Sequence, residues 1–233
     1  MKKIFITLLL VMAVFAMYAQ GIAADNEDKK AEGDKELVPI NINLPKPMFV
    51  GTPTPMNIEK LEEPRGEPRP PFLAPKGTEN VALEKPITAS DDMPVIGELE
   101  MITDGDKEAA DGSYVELGPF EQWVQVDLQG QYNIYAIVMW HFHKQPRVYK
   151  DVVLQVADDP DFTQNVKTLF NNDLDNSLGL GKGEDWHYVE TNEGKLIDGK
   201  GVTARYVRAY SNGNTSNDLN HWIELAVYGT PAE

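Results

Sequence analysis

The chain has 233 residues, 37 acidic against 21 basic side chains, a formal charge of −16 and no cysteine. That balance repels phosphate backbones and anionic lipid, which excludes nucleic acid and a charged membrane surface as partners. The missing cysteine excludes thiol catalysis and Cys-ligated zinc, and leaves core burial or a bound metal to hold the fold.

In chain order, Lys2 and Lys3 precede an uncharged, apolar run, Ile4–Ala19. Gly21-Ile22-Ala23-Ala24 then supplies small residues before the charged stretch that opens at Asp25. This pattern predicts a cleavable signal peptide over 1–24 and a secreted or periplasmic protein. The run is short for a membrane span and no basic stop-transfer cluster follows, so no span is expected. Losing the two lysines takes the charge to about −18. Residues 25–36 are dense in charge and poor in apolar side chains, the composition of a disordered tail.

Ten of the sixteen prolines fall in Leu37–Pro75. Such density forbids helices and central strands and favours extended polyproline backbone. This linker or arm, which with the tail spans 25–77, has two readings: a semi-rigid spacer, or an arm lying on the domain. Met48-Phe49-Val50 and Phe72-Leu73 are apolar enough to favour contact.

The domain is expected over 78–233. Trp123–Leu128 alternates with period two, Tyr135–His143 is β-branched and aromatic, and Asp151–Ala157 is apolar. Arg205–Tyr210 alternates charge with apolar residues, and Trp222–Tyr228 closes the series. Weaker strands are expected at Val81–Ser90, Tyr114–Leu117, Thr168–Phe170 and His187–Glu190, and a short helical turn at Ile96–Ile102. Gly, Asn, Asp and Pro clusters punctuate them. Eight or nine short strands imply an all-β antiparallel sandwich or barrel.

Five segments carry a resemblance: Asn80–Ser90, Ile102-Thr103-Asp104-Gly105-Asp106, Trp123–Leu128, Arg205-Tyr206-Val207-Arg208 and Glu224–Gly229. Each is weak alone; in this order they resemble a discoidin, or coagulation-factor type C, domain. The resemblance implies a galactose-binding-like jelly-roll β-sandwich, a group that includes carbohydrate-binding modules of secreted bacterial proteins. It also implies a structural calcium ion held by the Met101 carbonyl, Asp104, Asp106, the Ile223 carbonyl and Glu224. Hard carboxylate and carbonyl oxygens suit that ion. Ala109 stands where the family often has Thr or Ser, a place Asp111, Ser113 or a water could fill. The alternative is an Asp-Gly turn with solvated acids and a Glu paired with an Arg.

Sugar binding needs an aromatic platform and fixed polar groups. The expected ligand residues are His143, Arg147, Asn217 and Asn220, with Trp186 or Tyr149 as platform. Trp140 and Phe142 are expected to alternate with His141 and His143 along a strand, one pair facing the core and the other a surface. The Asn-rich loops at 171–176 and 211–221 are read either as ligand loops or as plain turns. His141 and His143, with His187 or His221, are also a possible zinc set, though His-x-His is a weak motif. No Gly-x-Ser-x-Gly, His-Glu-x-x-His or phosphate loop is present, so an enzyme is not expected. The expected function is a non-catalytic protein that binds a glycan or polysaccharide. A structural or adhesion protein whose sandwich docks on another protein is the alternative, and a polysaccharide hydrolase or lyase the third reading.

Overall fold

The computed structural model describes residues 36–49 and 56–232. The expected signal peptide and nearly all of the charged tail lie outside the described residues. Contacts divide the chain into units 1–38 and 39–233. The strand β1 (Leu37–Pro39) lies at their boundary, and every other element belongs to the second unit.

The strands of that unit are β2 (Leu73–Pro75), β3 (Glu79–Asn80), β4 (Ile87–Ala89), β5 (Val115–Pro119), β6 (Gln122–His141), β7 (Val153–Ala157), β8 (Lys167–Asn171), β9 (Lys195–Ser211) and β10 (Leu219–Pro231); a 3-10 turn, η1, covers Leu99–Thr103. All pairings among β3–β10 are antiparallel. Two long strands, β6 and β9, run through both layers of the sandwich. Their first pairing segment, 122–127 against 206–211, is flanked by β4 on one side and by β7 and β8 on the other. Their second segment, 132–139 against 195–204, continues to β10 and β3. Between the segments β6 breaks register at Asp127/Tyr132, where Gln129 takes a positive φ of 63°. One chain thereby turns a corner and starts the opposite layer.

Period-two alternation sets the core. Val124, Val126 and Leu128 from one layer meet Ile137, Met139, Leu225 and Val227 from the other, with Val207, Ala209, Leu154 and Val156. A side chain on one strand face is followed by one on the other, so Ala136, Val138, Trp140, Ala226 and Tyr228 point out of the sandwich. They are nonetheless buried, in a second apolar cluster with Ile40 and Ala74, against which Ile42 and Phe72 also pack. Described residues of the proline-rich segment, Ile40, Ile42, Phe72 and Ala74, therefore pack on the β6–β10 face, as an arm would. Extended polyproline backbone has few internal hydrogen bonds, so the arm is held by others. Ile40 N donates to Phe72 O at 2.9 Å, and Asn192 Nδ2 to Pro45 O at 2.9 Å. The Arg69 guanidinium donates to the carbonyls of Gly194 and Glu193 at 3.0 and 2.9 Å.

A second correction concerns the run from Trp140 to His143. Trp140, His141, Phe142 and His143 are all buried, so neither pair faces a surface. Trp140 donates from Nε1 to Asn192 O with Lys107 over its ring, Phe142 packs against Tyr114 and Arg147, and His143 meets the 104–109 loop, donating from Nε2 to Lys107 O at 3.0 Å.

His187–Glu190 is not a strand; His187 forms only an isolated bridge to Leu61. The longer omission is the first half of β9, 195–204. Its Asp198-Gly199-Lys200-Gly201 reads as a turn in isolation, yet Gly199 is where β9 crosses tightly against β6. A Cβ there would lie 2.5 Å from Ile134 O. Gly194, under the Arg69 clamp, is constrained twice: its φ is +63°, and a Cβ would sit 2.7 Å from Met139 O and from the Trp140 ring. Gly194→Ala is expected to destabilise by about 2–4 kcal/mol in denaturant unfolding. Gly112→Ala, at φ +89° with no atom within 4 Å, should cost about 1 kcal/mol. Equal losses for the two would remove the clash as the cause.

Candidate functional site

A cleft of about 450 Å³ opens at one end of the sandwich. It is lined by Asn57, Ile58 and Glu59 of the arm, by Val148, Lys150 and Asp151 before β7, by Leu174 and Asp175 after β8, and by His187 and Thr215. Chain segments far apart in sequence thus meet there. Backbone pairing fixes the arm against the 187 segment: His187 N donates to Lys60 O and Glu62 N to His187 O, both at 2.8 Å. Thr215 Oγ1 accepts from Val148 N at 3.1 Å, tying the 215 loop to the 148 segment.

Trp186, beside His187 in sequence, is 51% exposed, the one tryptophan among the exposed large hydrophobics. Its ring is open to solvent, while the cleft lining includes its neighbour His187. The other expected ligand residues are arranged differently. Tyr149 is buried between cleft residues Val148 and Lys150, stacked on His141 at 4.2 Å. Its hydroxyl lies 3.0 Å from His221 Nδ1, and His221 Nε2 lies 3.0 Å from Glu116 Oε2. Burial first, then the charges of Arg147 and His141, hold the His221 pKa down at about 4. Burial pushes the Glu116 carboxyl up while Arg147 opposes the shift. Neutral His221 therefore donates from Nε2 to Glu116 and accepts from the Tyr149 hydroxyl at Nδ1. Burial, above all, pushes the Tyr149 hydroxyl pKa far up, so it stays protonated as that donor. This Tyr–His–Glu chain resembles a relay, but all three groups are enclosed.

Arg147 is half-buried with its guanidinium over the Phe142 ring at 4.8 Å. Asn220 is fully buried and spends its whole amide on the protein. Oδ1 accepts from Ser211 Oγ and Gly213 N, and Nδ2 donates to the carbonyls of Gly118 and Phe120. Asn217 is exposed, and its Oδ1 accepts from Asn214 Nδ2 and Leu219 N, the bonds of a turn. The cleft residues Asn57, Ile58, Glu59, Lys150, Asp151 and Thr215 were not singled out from sequence. The polar loops at 171–176 and 211–221 signalled part of this rim; the arm residues carried no signal, because nothing local marks contact with His187.

The histidines of the possible zinc set have separate partners. His141 Nδ1 meets Glu190 Oε1 at 2.7 Å, and His187 Nδ1 donates to Glu59 O at 3.1 Å. Among the described residues, the group of three with metal-ligand spacing is Asp151, Asp173 and Asp175. Donors already satisfy much of it: Ser177 Oγ and Asn212 Nδ2 to Asp151, and Ser177 N and Leu178 N to Asp173.

At the expected calcium position, Glu224 is fully buried on β10 and faces the 104–106 turn. Its Oε2 accepts from Gly105 N at 3.2 Å while Oε1 has no partner. Burial, opposed by Lys107 and the Gly105 N–H and reinforced by Asp104 and Asp106, pushes its pKa up to about 8. Among the described residues no arginine is recorded as a partner of Glu224; the cation acting on it is Lys107, whose Nζ donates to Gly105 O at 2.9 Å. Asp104 and Asp106 are exposed and cap their own turn, each accepting a backbone N–H two residues on. Asp111 is drawn away to Lys144, at 2.7 Å. Met101 lies on η1 and Ile223 is buried beside Glu224. An orphaned buried carboxylate oxygen facing two acids fits a hard cation, with Lys107 the discordant neighbour.

No family model and no curated protein matches the chain. Among solved structures, it is similar to the CBM32 of AlyQ in complex with 4,5-unsaturated mannuronic acid, at 16% identity and TM-score 0.45, covering 61% of this chain and 92% of that one. It is similar to chitosan-binding module 1 of a Paenibacillus sp. IK-5 chitosanase/glucanase, at 20% identity and TM-score 0.42, covering 65% and 99%. A Clostridium perfringens family 89 glycoside hydrolase matches at 20% identity and TM-score 0.47, over 66% of this chain and 15% of that one. At these values the likeness assigns the chain to none of their families.

Proposed function

We propose that this is a secreted, non-catalytic carbohydrate-binding protein that takes a saccharide in the cleft beside Trp186. The observation that carries the reading is the cleft itself: polar side chains from distant segments converge there, and Trp186, next to the lining residue His187 in the chain, leaves its indole exposed. An indole face covers the apolar side of a pyranose ring, and fixed polar groups take its hydroxyls. The Tyr149–His221–Glu116 chain lies behind the cleft wall, which favours binding over turnover. A structural calcium ion belongs to the same proposal. Glu224, Asp104 and Asp106 would hold it with the Met101 and Ile223 carbonyls, and it would pin the 104–106 turn to β10. A second reading, contact with a protein, has one observation in its favour: Phe120, Met93 and Val95 are exposed on neighbouring segments at one rim.

A glycan array probed with the full chain, with 2 mM (about the extracellular level) calcium and with chelator, tests these together. Binding to at least one saccharide, lost at least tenfold in Trp186→Ala, is expected. Chelation is expected to lower the melting temperature of the wild-type protein and not of Glu224→Gln. Binding to no saccharide in either state sinks the carbohydrate reading. A melting temperature indifferent to calcium sinks the metal.

A further inference from the structure

We infer that the arm is one wall of the ligand cleft, so that the site is complete only while the arm is docked, and that the cleft admits saccharides without acidic groups. This rests on the carbohydrate reading and goes beyond it by naming the coupled element and the ligand class.

The arm's contribution follows from geometry. Asn57, Ile58 and Glu59 line the cleft together with Val148, Lys150 and Asp151. Three hydrogen bonds around one residue hold them there: His187 N to Lys60 O, Glu62 N to His187 O, and His187 Nδ1 to Glu59 O. Lys60 takes a positive φ of 50° to make the turn, a conformation that a non-glycine residue keeps only when its surroundings hold it. The 57–62 stretch is tied to the 187 segment rather than to the apolar cluster under Ile40, Ile42, Phe72 and Ala74. Its docking thus has work of its own beyond covering that face.

The ligand class follows from the lining chemistry. A carbonyl only accepts, so the bond from His187 Nδ1 to Glu59 O puts a proton on Nδ1. Glu59, Asp151 and Asp175 bring carboxylates to the lining, of which Asp151 Oδ2 and Asp175 Oδ1 already accept from Ser177 and Asn212. Lys150 is the one cation in the lining, and Asn57 adds an amide. The lining therefore sets three carboxylates against one lysine. Sugar hydroxyls and protonated amines satisfy such a surface. A uronate or sulfate would bring an anion among three carboxylates, with one lysine to meet it.

The test uses the full chain and an array carrying neutral, amine-bearing, uronate and sulfated oligosaccharides in low salt. N-acetylchitohexaose, chitohexaose and hexagalacturonate serve as titration probes. The wild type is expected to bind neutral or amine-bearing sugars and to leave uronate and sulfated ones unbound. The triple variant Asn57→Ala, Ile58→Ala, Glu59→Ala keeps every backbone bond that docks the arm. It is expected to lose at least tenfold in affinity for the sugars bound, with an unchanged melting temperature. Undiminished affinity in the triple variant overturns the arm as a wall while the carbohydrate reading stands. Preferred binding of uronates overturns the ligand class. Binding of no sugar by the wild type overturns the carbohydrate reading and this inference with it.

Discussion

Ala74→Asp in the full chain is expected to cost about 3–5 kcal/mol, a fall of about 10–15 °C in melting temperature for a protein of this size. Ala74 is 1% exposed and packs among Ile40, Val138, Trp140 and Tyr228. A carboxylate there would be an unpaired buried charge. The arm has one escape, which is to undock. That would free the charge and uncover apolar residues of the β6–β10 face that cluster with Ile40 and Ala74, the kind of surface that drives self-association. Either outcome is visible: a lower melting temperature with Trp140 still buried, or a red-shifted tryptophan emission with dimers or aggregates on size exclusion. Leu73→Asp is the control. Leu73 is the neighbouring residue on β2 and is 53% exposed, so period-two alternation points it to solvent. It should change stability by less than about 0.5 kcal/mol. If Ala74→Asp behaves like Leu73→Asp, the arm does not cover the face in solution.

The second large effect is expected at Asn220. Asn220→Ala removes four hydrogen bonds at a buried position and strands two carbonyls, an amide N–H and a hydroxyl. With a net worth of about 1 kcal/mol per bond and a larger cost for each group left unmet, the loss should reach about 3–4 kcal/mol in chemical denaturation. Asn220→Asp separates the two halves of this role. It keeps the acceptor for Ser211 and Gly213 but turns a carboxylate toward the carbonyls of Gly118 and Phe120, and it should be no more stable than the alanine variant. Phe120 holds a positive φ of 70° at the tip of the β5–β6 turn, and its carbonyl is one that Asn220 anchors. The turn should therefore loosen in both variants, seen as faster amide exchange at 118–121. An Asn220→Ala protein as stable as wild type, but deficient in sugar binding, would restore the ligand role expected from sequence.

These two residues show where the sequence was legible and where it was not. The strands at 123–128, 151–157 and 205–210 were readable because their alternation is local: each puts one face toward a core that both layers share. The first half of β9 was hidden, because Gly199 and Gly201 signal a turn to anything that sees only neighbours. The reason for Gly199 is the crossing strand 65 residues back, at Ile134. Alternation along 140–143 was readable, but not that both faces are buried, with Trp140 against Lys107 and Asn192 and Phe142 against Tyr114 and Arg147. His143, Tyr149 and Asn220 were offered to a ligand on residue type alone. Type does not say whether a polar side chain's capacity is already spent inside the protein, and for Asn220 it is fully spent.

By itself, then, the sequence determined an all-β antiparallel sandwich, an acidic surface and a proline-rich approach to the domain. Periodicity, turn residues and net charge are properties of the chain read a few residues at a time, and they survive folding unchanged. Tertiary structure alone decided that the arm is a layer of the fold, that Asn57–Glu59 meet Asp151, Asp175 and His187 across a cleft, and that Glu224 is left with an unpartnered oxygen above the 104–106 turn. Each of these joins residues far apart in the chain, and the hydrogen bonds and contacts that fix them are made only when distant segments close on one another.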